Sequence, residues 1–343
     1  MKKIIKWGFI GLGNASLNLA NEFKNVENAS LAAISSKTDK KRQFFKDSFK
    51  ISSKYVYSEY DEIINNPDID IIYIALPNSM HKEYCIKALS QKKNILVEKP
   101  ITTSLKNFQD IKNSIKDNNL ILEEGIAYKF HPFYKTILNL IKDISKSKII
   151  SIKCSFGNDA IGGRKIFGLR LKKINQEKRL FNKHLEGGAI LDGGIYPISI
   201  ITDIIYLIYN NLDLEPKIIN CKKDKISNGI DINSELILNL DNINVEIKTS
   251  LNKKLQNNLE ITTKNEKIVF ENIFNINKDT FIVYKKNSIE KKIKCSDNKS
   301  SYFYEIKSLS DMSNNIYEWK KISDQSILKM NFNIKLLSRW LEN

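Results

Sequence analysis

The stretch KWGFIGLGNAS, residues Lys6–Ser16, determines how the first half of the chain is interpreted. A short apolar strand runs into Gly11 and Gly13 and a helical pattern follows at once, which is the context of a dinucleotide-binding fingerprint. Gly11 permits the tight turn, and Gly13 lets the backbone approach a pyrophosphate. Asn14 and Ala15 open a helix whose first N–H groups and dipole favour an anion. The stretch predicts a cofactor cradle, with an ordinary glycine turn as the alternative.

Three later positions refine this prediction. Ser16 stands where the fingerprint has a third glycine or alanine, and it is small enough for close packing of helix on strand. About 20 residues further on, an NAD site usually has an acidic residue, but here the second strand is followed by Ser36 and Lys37. A hydroxyl and a cation suit a 2′-phosphate, so the sequence favours NADP(H), with NAD(H) as the alternative. The other interpretation of Lys37 is a lysine that starts a surface helix.

Composition excludes several classes of protein. The chain has 343 residues, 42% of them hydrophobic, which suffices for two domains with packed cores. Its formal charge of +16 comes from lysines spread along the whole chain, without zinc-finger spacing or an aromatic RNA-binding signature, so we expect no nucleic-acid partner. The longest apolar run, residues 195–209, is shorter than a membrane span and contains Asp203. We expect a soluble cytoplasmic protein whose four separated cysteines are reduced.

The periodicity of apolar residues predicts an α/β protein with two domains. Residues 1–126 alternate buried strands and helices, as in a doubly wound parallel Rossmann sheet. Residues 127–343 show the alternation of a mostly antiparallel, open-faced sheet in an α+β domain for substrate binding and oligomerisation. Helices are predicted at Pro197–Tyr209 and Phe332–Leu341, and the last helix is expected to pack back on the first domain.

Two buried strands in the first half end in polar motifs. One strand ends at Leu76 and is followed by Pro77 and Asn78, and the next ends in Glu98, Lys99 and Pro100. The carboxyl ends of parallel strands are where open α/β sheets bind ligands. A lysine held there by a following proline is a candidate catalytic group, and the alternative is a plain surface lysine.

Five stretches in a fixed order carry a family resemblance: GFIGLGNAS, DIDIIYIALPNSMH, ILVEKP, EGIAYKFHP and RLFNKHLEGGAILDGGIYPIS. Together they resemble the Gfo/Idh/MocA family of NAD(P)-dependent oxidoreductases. DGGIYP has tyrosine where inositol dehydrogenases have histidine. The chain therefore resembles the branch that includes sugar ketoreductases, glucose-fructose oxidoreductase-like enzymes and dihydrodiol dehydrogenases.

The resemblance implies a role for each matched residue. Lys99 is expected to contact the reacting oxygen, Tyr196 to act as general acid, and Asp192 to orient substrate hydroxyls or Lys99. Tyr196 has a core aromatic as its alternative, and Asp192 a helix cap. The other residues implied to bind cofactor are Pro77, Asn78, His81 and Glu98, and those implied to bind substrate are Lys129 and Arg179.

Several positions depart from the family pattern or carry no assigned chemistry. Lys92 replaces a glycine, and Lys129 replaces an arginine and loses its bidentate fork. His81 has a structural role as its alternative, His131 is expected to be structural, and His184 matches no family histidine. No histidine and carboxylate cluster predicts a metal site.

The functional hypothesis is hydride transfer between a nicotinamide cofactor and a hydroxyl or keto group of a sugar or sugar derivative, nucleotide-linked sugars included. The alternatives are a dihydrodiol dehydrogenase-like or biliverdin reductase-like enzyme and a catalytically silent, cofactor-binding sensor. The resemblance also implies a homo-dimer or homo-tetramer. Residues 158–178, expected to border the substrate pocket, do not reveal the substrate.

Overall fold

The structure is a computed structural model. It describes residues 3–115, 119–143, 149–162, 164–166, 169–171, 174–264, 266–274, 276, 281–286, 289–295 and 297–343. Part of the segment 158–178 therefore lies outside the described residues. The chain divides into two compact units, one of residues 1–132 and 299–330 and the other of residues 133–298 and 331–343. The domain limits proposed from the sequence, residues 1–126 and 127–343, stay a prediction.

The first unit contains a six-stranded parallel sheet in the order β3-β2-β1-β4-β5-β6, the order of a doubly wound Rossmann sheet. The predicted Rossmann fold is confirmed. The strands are β1 Ile5–Ile10, β2 Ala29–Ser35, β3 Val56–Tyr57, β4 Ile71–Ile74, β5 Asn94–Glu98 and β6 Leu122–Gly125. The helices between them are α1 Asn14–Ala20, α2 Asp39–Phe49, α3 Tyr60–Asn65, α4 Asn78–Ser90 and α5 Leu105–Ser114.

Buried strands and large aromatic side chains form the core of this unit. All four residues of β4 are buried, which explains its continuous apolar sequence. On one face of the sheet the ring centroids of Phe9 and Tyr73 lie 4.9 Å apart. Trp7 packs edge-on against Phe23 and donates its indole N–H to Ser310 Oγ at 3.0 Å. The sheet whose edge carries the predicted ligand motifs is therefore supported by a packed aromatic core.

The second unit contains an eight-stranded sheet in the order β10-β11-β12-β7-β13-β14-β15-β16. The β12–β7 pair is parallel and the other pairs are antiparallel, so the predicted mostly antiparallel sheet is confirmed. Its strands are β7 Ile149–Gly157, β10 Lys217–Lys225, β11 Asp231–Leu240, β12 Ile243–Ser250, β13 Leu259–Thr263, β14 Lys267–Phe270, β15 Phe281–Lys286 and β16 Ile289–Lys294, while β8 Arg164–Ile166 and β9 Leu169–Leu171 pair separately.

The remaining helices are α6 Pro132–Lys142, α7 Ile195–Tyr209, α8 Ser301–Asn314 and α9 Ile316–Glu342. The predicted start of α7 at Pro197 was wrong by two residues, and a π-helical turn, Ile190–Gly194, precedes it. The predicted helix near residues 332–341 is the end of the much longer α9. By length and composition the segment Lys183–Tyr209 is apolar enough to cross a membrane, but 78% of its apolar window is buried inside the protein, as expected of a core helix.

Candidate functional site

The glycine turn after β1 has the conformation that its sequence predicts. Gly11 has φ +87°, and a Cβ built there would lie 2.4 Å from the Ala75 carbonyl oxygen after β4. The Gly11 N–H donates to Ser35 O at 2.9 Å, which ties the turn to the end of β2. Glycine is required at this position because both the dihedral angle and the neighbouring backbone exclude a side chain.

Gly13 differs in kind from Gly11. It caps α1 with φ −105° and ψ −167°, an extended conformation open to any residue, and a Cβ built there would meet nothing within 4 Å. Gly13 and Asn14 are exposed at the start of the helix. No described protein atom requires glycine here, so the residue fits a group that approaches the backbone from outside, as a cofactor pyrophosphate does.

Ser16 supports the same turn from within. Its side chain is fully buried, and its hydroxyl donates to the Gly11 carbonyl oxygen at 2.7 Å. The sequence predicted only that the residue must be small. The structure adds a hydrogen bond that fixes the turn to the first turn of α1.

The end of β2 places a hydroxyl and two cations close together. Ser36 is buried, its Oγ accepts from Thr38 N at 3.2 Å, and its carbonyl accepts from Arg42 Nη1 at 2.6 Å. Lys37 forms an ion pair with Glu59, which lies just before α3, and the hydrogen bond to this carboxylate raises the pKa of Lys37. Arg42 was missed by the sequence analysis, although its position one turn into α2 was a readable signal.

The β4–α4 corner contains three of the predicted cofactor residues. Pro77 caps α4, and Asn78 is buried at its first position. His81 is completely buried. Its Nδ1 lies 2.8 Å from Pro100 O, and its Nε2 lies 2.9 Å from Leu76 O. The ring of His81 therefore ties the end of β4 to the segment after β5.

The end of β5 holds Glu98 and Lys99. The buried Tyr73 donates its hydroxyl to Glu98 Oε1 at 2.5 Å, and burial raises the pKa of Tyr73 well above its ordinary value. Glu98 therefore contacts the core side of the sheet through its carboxylate. Lys99 is half-buried at the sheet edge and precedes Pro100 through a cis peptide bond.

The segment after β6 carries Lys129 and His131. Lys129 is half-buried in a 3₁₀ turn, Ala127–Phe130. Its charge opposes the effect of burial on Glu123, whose pKa burial raises to about 7. His131 is buried, its Nε2 lies 3.3 Å from Lys299 O, and its ring packs edge-on against Tyr304. These contacts fit the structural role expected for His131.

In the second unit, Arg179, Asp192 and Tyr196 come from one stretch of chain. Arg179 Nη2 pairs with Asp192 Oδ1 at 2.9 Å, and the side chains are 44% and 22% exposed. Asp192 lies in the π-helical turn and Tyr196 in the first turn of α7. The Tyr196 ring packs 4.6 Å from Phe156 and 6.0 Å from Phe274. The Asp192 carboxylate is thus paired with the Arg179 guanidinium, and the Tyr196 ring packs against aromatic side chains.

The π-helical turn is held by side chains from the sheet. Asp231 at the start of β11 accepts from Ile190 N at 2.8 Å, and Thr249 on β12 donates to Ala189 O at 3.1 Å. A Cβ at Gly188 would lie 2.3 Å from Asp231 Oδ1, and one at Gly193 would lie 2.4 Å from Thr249 Oγ1. The glycines around Asp192 therefore let the sheet reach the turn. Neither Asp231 nor Thr249 carried a signal in the sequence.

The predicted residues thus fall into local groups. The first unit groups Gly11, Gly13, Asn14 and Ala15 at the turn, Ser36 and Lys37 at the end of β2, and Pro77, Asn78, His81, Glu98 and Lys99 at the ends of β4 and β5, with Lys129 following β6. Arg179, Asp192 and Tyr196 belong to the second unit. In the part of the chain that the structure describes, no group of three His, Cys, Asp or Glu side chains is arranged to hold a metal ion.

Comparison with known proteins identifies a family match in the first half of the chain. Residues 5–126 match the model of the GFO_IDH_MocA oxidoreductase family, described as an NAD-binding Rossmann fold. The chain is 25% identical over 245 residues to the D-xylose 1-dehydrogenase (NADP(+)) of Hypocrea jecorina, covering 68% of this chain and 61% of that one. It is 26% identical over 235 residues to the trans-1,2-dihydrobenzene-1,2-diol dehydrogenase of Xenopus tropicalis, covering 68% and 64%. The matches thus span less than two thirds of these relatives.

A solved structure resembles the whole chain. The 3-ketoreductase of Actinomadura kijaniata, crystallised with NADP and TDP-benzene, superposes with a TM-score of 0.77 at 18% identity, covering 96% of each chain. At this identity the likeness supports the fold alone. The predicted α/β architecture is confirmed in both halves.

Proposed function

We propose that this chain, whose residues 5–126 match the model of the GFO_IDH_MocA oxidoreductase family, transfers a hydride between NADP(H) and a hydroxyl or keto group of a sugar or sugar derivative. The observation that carries the proposal is the pair of glycines after β1. The neighbouring backbone requires glycine at position 11, whereas a Cβ built at Gly13 would meet no atom within 4 Å, which leaves space for a cofactor over the turn. The relative named as D-xylose 1-dehydrogenase (NADP(+)) supports the sugar class.

Each proposed catalytic residue has one task. A nicotinamide cofactor, when bound, would supply or accept the hydride. In reduction the substrate oxygen gains negative charge, which the Lys99 ammonium stabilises. Tyr196 donates its phenolic proton to that oxygen, and in oxidation it takes the proton back. Asp192, held by Arg179, accepts hydrogen bonds from substrate hydroxyls.

The preference for NADP(H) over NAD(H) rests on the end of β2. Ser36 presents a hydroxyl, and Lys37 and Arg42 present two cations where an NAD site has a carboxylate. The Arg42 side chain is 18% exposed, and the Ser36 carbonyl and Asp39 hold its guanidinium in a position from which its remaining N–H groups can contact a phosphate. Glu59 competes for Lys37 and tempers the preference.

Binding measurements test the cofactor. Intrinsic fluorescence should report binding of NADPH at lower concentration than NADH. Arg42→Ala should weaken NADPH binding about tenfold or more, the equivalent of about 1.4 kcal/mol, and leave NADH binding nearly unchanged. Glu59→Gln should shift the preference further toward NADPH. Failure of both cofactors to bind the wild-type protein would exclude the proposed function.

Turnover measurements test the catalytic roles. Lys99→Ala and Tyr196→Phe should each lower kcat by about 10²-fold or more while NADPH still binds, since each removes an interaction made in the transition state. Lys106→Ala and Tyr317→Phe are the matched controls, because both side chains are exposed and lie outside the proposed site. A Lys99→Ala, Tyr196→Phe double variant with full activity would refute the mechanism.

A second candidate function is oxidation of a cyclic diol, which the dihydrodiol dehydrogenase among the relatives favours. A panel of ketosugars, dihydrodiols and biliverdin separates the sugar, diol and biliverdin reductase-like alternatives. A catalytically silent sensor would bind NADPH without turnover of any substrate. We further propose a cytoplasmic location and a homo-dimer or homo-tetramer, which subcellular fractionation and light scattering test.

A further inference from the structure

The peptide group between Pro100 and Ile101 lies between two buried side chains. Its carbonyl oxygen is 2.8 Å from His81 Nδ1, and its N–H donates to Glu124 Oε1 at 2.8 Å. His81 is 0% exposed and Glu124 is 4% exposed. One peptide group therefore joins a histidine of α4 to a glutamate of β6, directly after the Lys99–Pro100 pair.

The second ring nitrogen of His81 also contacts a carbonyl, since Nε2 lies 2.9 Å from Leu76 O. A carbonyl oxygen only accepts, so each contact at hydrogen-bond length needs an N–H on the ring. A neutral imidazole has a single N–H. Its other nitrogen would turn a lone pair toward a carbonyl oxygen, which is repulsive. Only the doubly protonated ring donates in both directions.

A buried cation is expensive unless it is compensated. Glu124 provides the compensation through the peptide group. The cation at the carbonyl oxygen and the carboxylate at the N–H both polarise the peptide in the same direction, so the two hydrogen bonds strengthen each other. Both groups lie in a water-poor environment where such interactions are strongest.

Other charged groups on the neighbouring elements make different contacts among the described residues, as Glu123 of β6 does with Ser326. Glu98 ends β5 and Lys99 follows it, and the Glu98 carboxylate accepts from Tyr73. Lys82 and Asp110 form a partly exposed ion pair between α4 and α5, which involves the outer surface of the helix. Glu124 is thus the carboxylate in direct hydrogen-bonded series with His81.

We propose that His81 is an imidazolium and that His81 and Glu124 form a buried ionic clamp on the peptide after Pro100, which makes both of them positioning residues for Lys99. The proposal rests on the catalytic role proposed for Lys99. Tyr73 fixes the residue before Lys99 through Glu98, and the clamp fixes the chain after it. Lys99 is thereby held from both sides at the sheet edge.

Nitrogen NMR tests the protonation state without any need for turnover. The chain has three histidines, so ¹⁵N-histidine labelling of the whole protein gives three rings, and His81→Gln identifies the signals of His81. At pH 7.5 both nitrogens of His81 should show the imidazolium signature. A neutral tautomer, with two widely separated signals, would overturn the proposal whether or not the protein is an oxidoreductase.

Glu124→Gln tests the clamp itself. The glutamine keeps an oxygen for the Ile101 N–H but removes the charge, so the neutral-ring signature should replace the imidazolium signature of His81 at pH 7.5. Glu83→Gln removes an exposed carboxylate from α4, the helix that also contains His81, and should leave the His81 signals unchanged. An unchanged imidazolium in Glu124→Gln, or an equal change in Glu83→Gln, would refute the clamp.

The kinetic consequence separates positioning from general stability. Glu124→Gln should lower kcat about tenfold or more, while the KM for NADPH changes less than about twofold, because Lys99 acts on the reacting oxygen and not on cofactor binding. Glu83→Gln should retain wild-type kcat. Equal losses in kcat and in NADPH affinity would assign Glu124 to general folding instead.

Discussion

Replacing the two glycines of the first turn separates what the fold needs from what a cofactor needs. Gly11→Ala puts a side chain at φ +87° and within 2.4 Å of the Ala75 carbonyl oxygen. Gly13→Ala puts one at φ −105°, with no atom within 4 Å. The first substitution should destabilise the protein, and the second should weaken NADPH binding in a protein that is as stable as the wild type.

The magnitudes follow from these geometries. A non-glycine residue in the left-handed region costs about 1–3 kcal/mol, and the Ala75 contact adds a backbone shift at Gly11. At position 13, alanine is a poorer N-cap than glycine, which costs several tenths of a kcal/mol. Alanine also lowers the conformational entropy of the unfolded chain, which stabilises the protein by about 0.4–1 kcal/mol and offsets that cost. For domains of this size 1 kcal/mol changes Tm by about 2–4 °C. We expect Gly11→Ala to lose several degrees and Gly13→Ala less than about two.

Gly229 supplies the matched control for backbone strain. It has the same φ of +87°, but a Cβ built there would meet nothing within 4 Å. Gly229→Ala therefore measures the dihedral cost alone in a turn distant in sequence from the glycine fingerprint. The difference between Gly11→Ala and Gly229→Ala then reports the contact with Ala75.

Thermal melting by circular dichroism and fluorescence titration with NADPH provide the two readouts. Gly13→Ala should raise the Kd for NADPH about tenfold or more, because the methyl group occupies the space over which the pyrophosphate is proposed to lie. Wild-type affinity in a stable Gly13→Ala protein would refute that position for the pyrophosphate. A Gly11→Ala protein as stable as Gly229→Ala would refute the close contact with Ala75.

Three further predictions concern supporting residues. Burial raises the pKa of Glu123 from 4.5 to about 7, so the folded state holds the proton of this carboxyl more tightly than the unfolded state, and stability falls as pH rises between these values. Glu123→Gln should therefore raise Tm at pH 8 but not at pH 4, and equal Tm values of the variant and the wild type at pH 8 would contradict this. Asp231→Ala removes the acceptor of the Ile190 N–H and should lower the free energy of unfolding by about 1–3 kcal/mol in urea, and an unchanged midpoint would contradict it. Lys92 has φ +55°, so Lys92→Gly should raise the free energy of unfolding by up to about 1 kcal/mol and raise Tm slightly. A lower Tm would show that the lysine side chain stabilises the turn.

Much of the fold follows from local signals. Continuous apolar runs identified the parallel strands, alternating runs identified the mixed sheet, and Gly11 marked its turn because only glycine adopts that conformation without strain. Lys92, at a position where the resemblance implies glycine, likewise has a left-handed φ of +55°. Helix α6 was missed although Tyr134, Ile137 and Ile141 follow helical spacing.

The sequence by itself determined the fold class, the family motifs and the identities of the candidate residues, because each depends on neighbours a few positions away. Tertiary structure decided what those residues contact. His81 meets the Pro100 carbonyl, Asp231 meets Ile190, and the Trp7 indole meets Ser310. These partners are 19, 41 and 303 residues apart, and strand register and helix packing bring them together. No local pattern records such contacts, since the hydrogen-bonding capacity of a side chain is visible in the sequence but its partner is not.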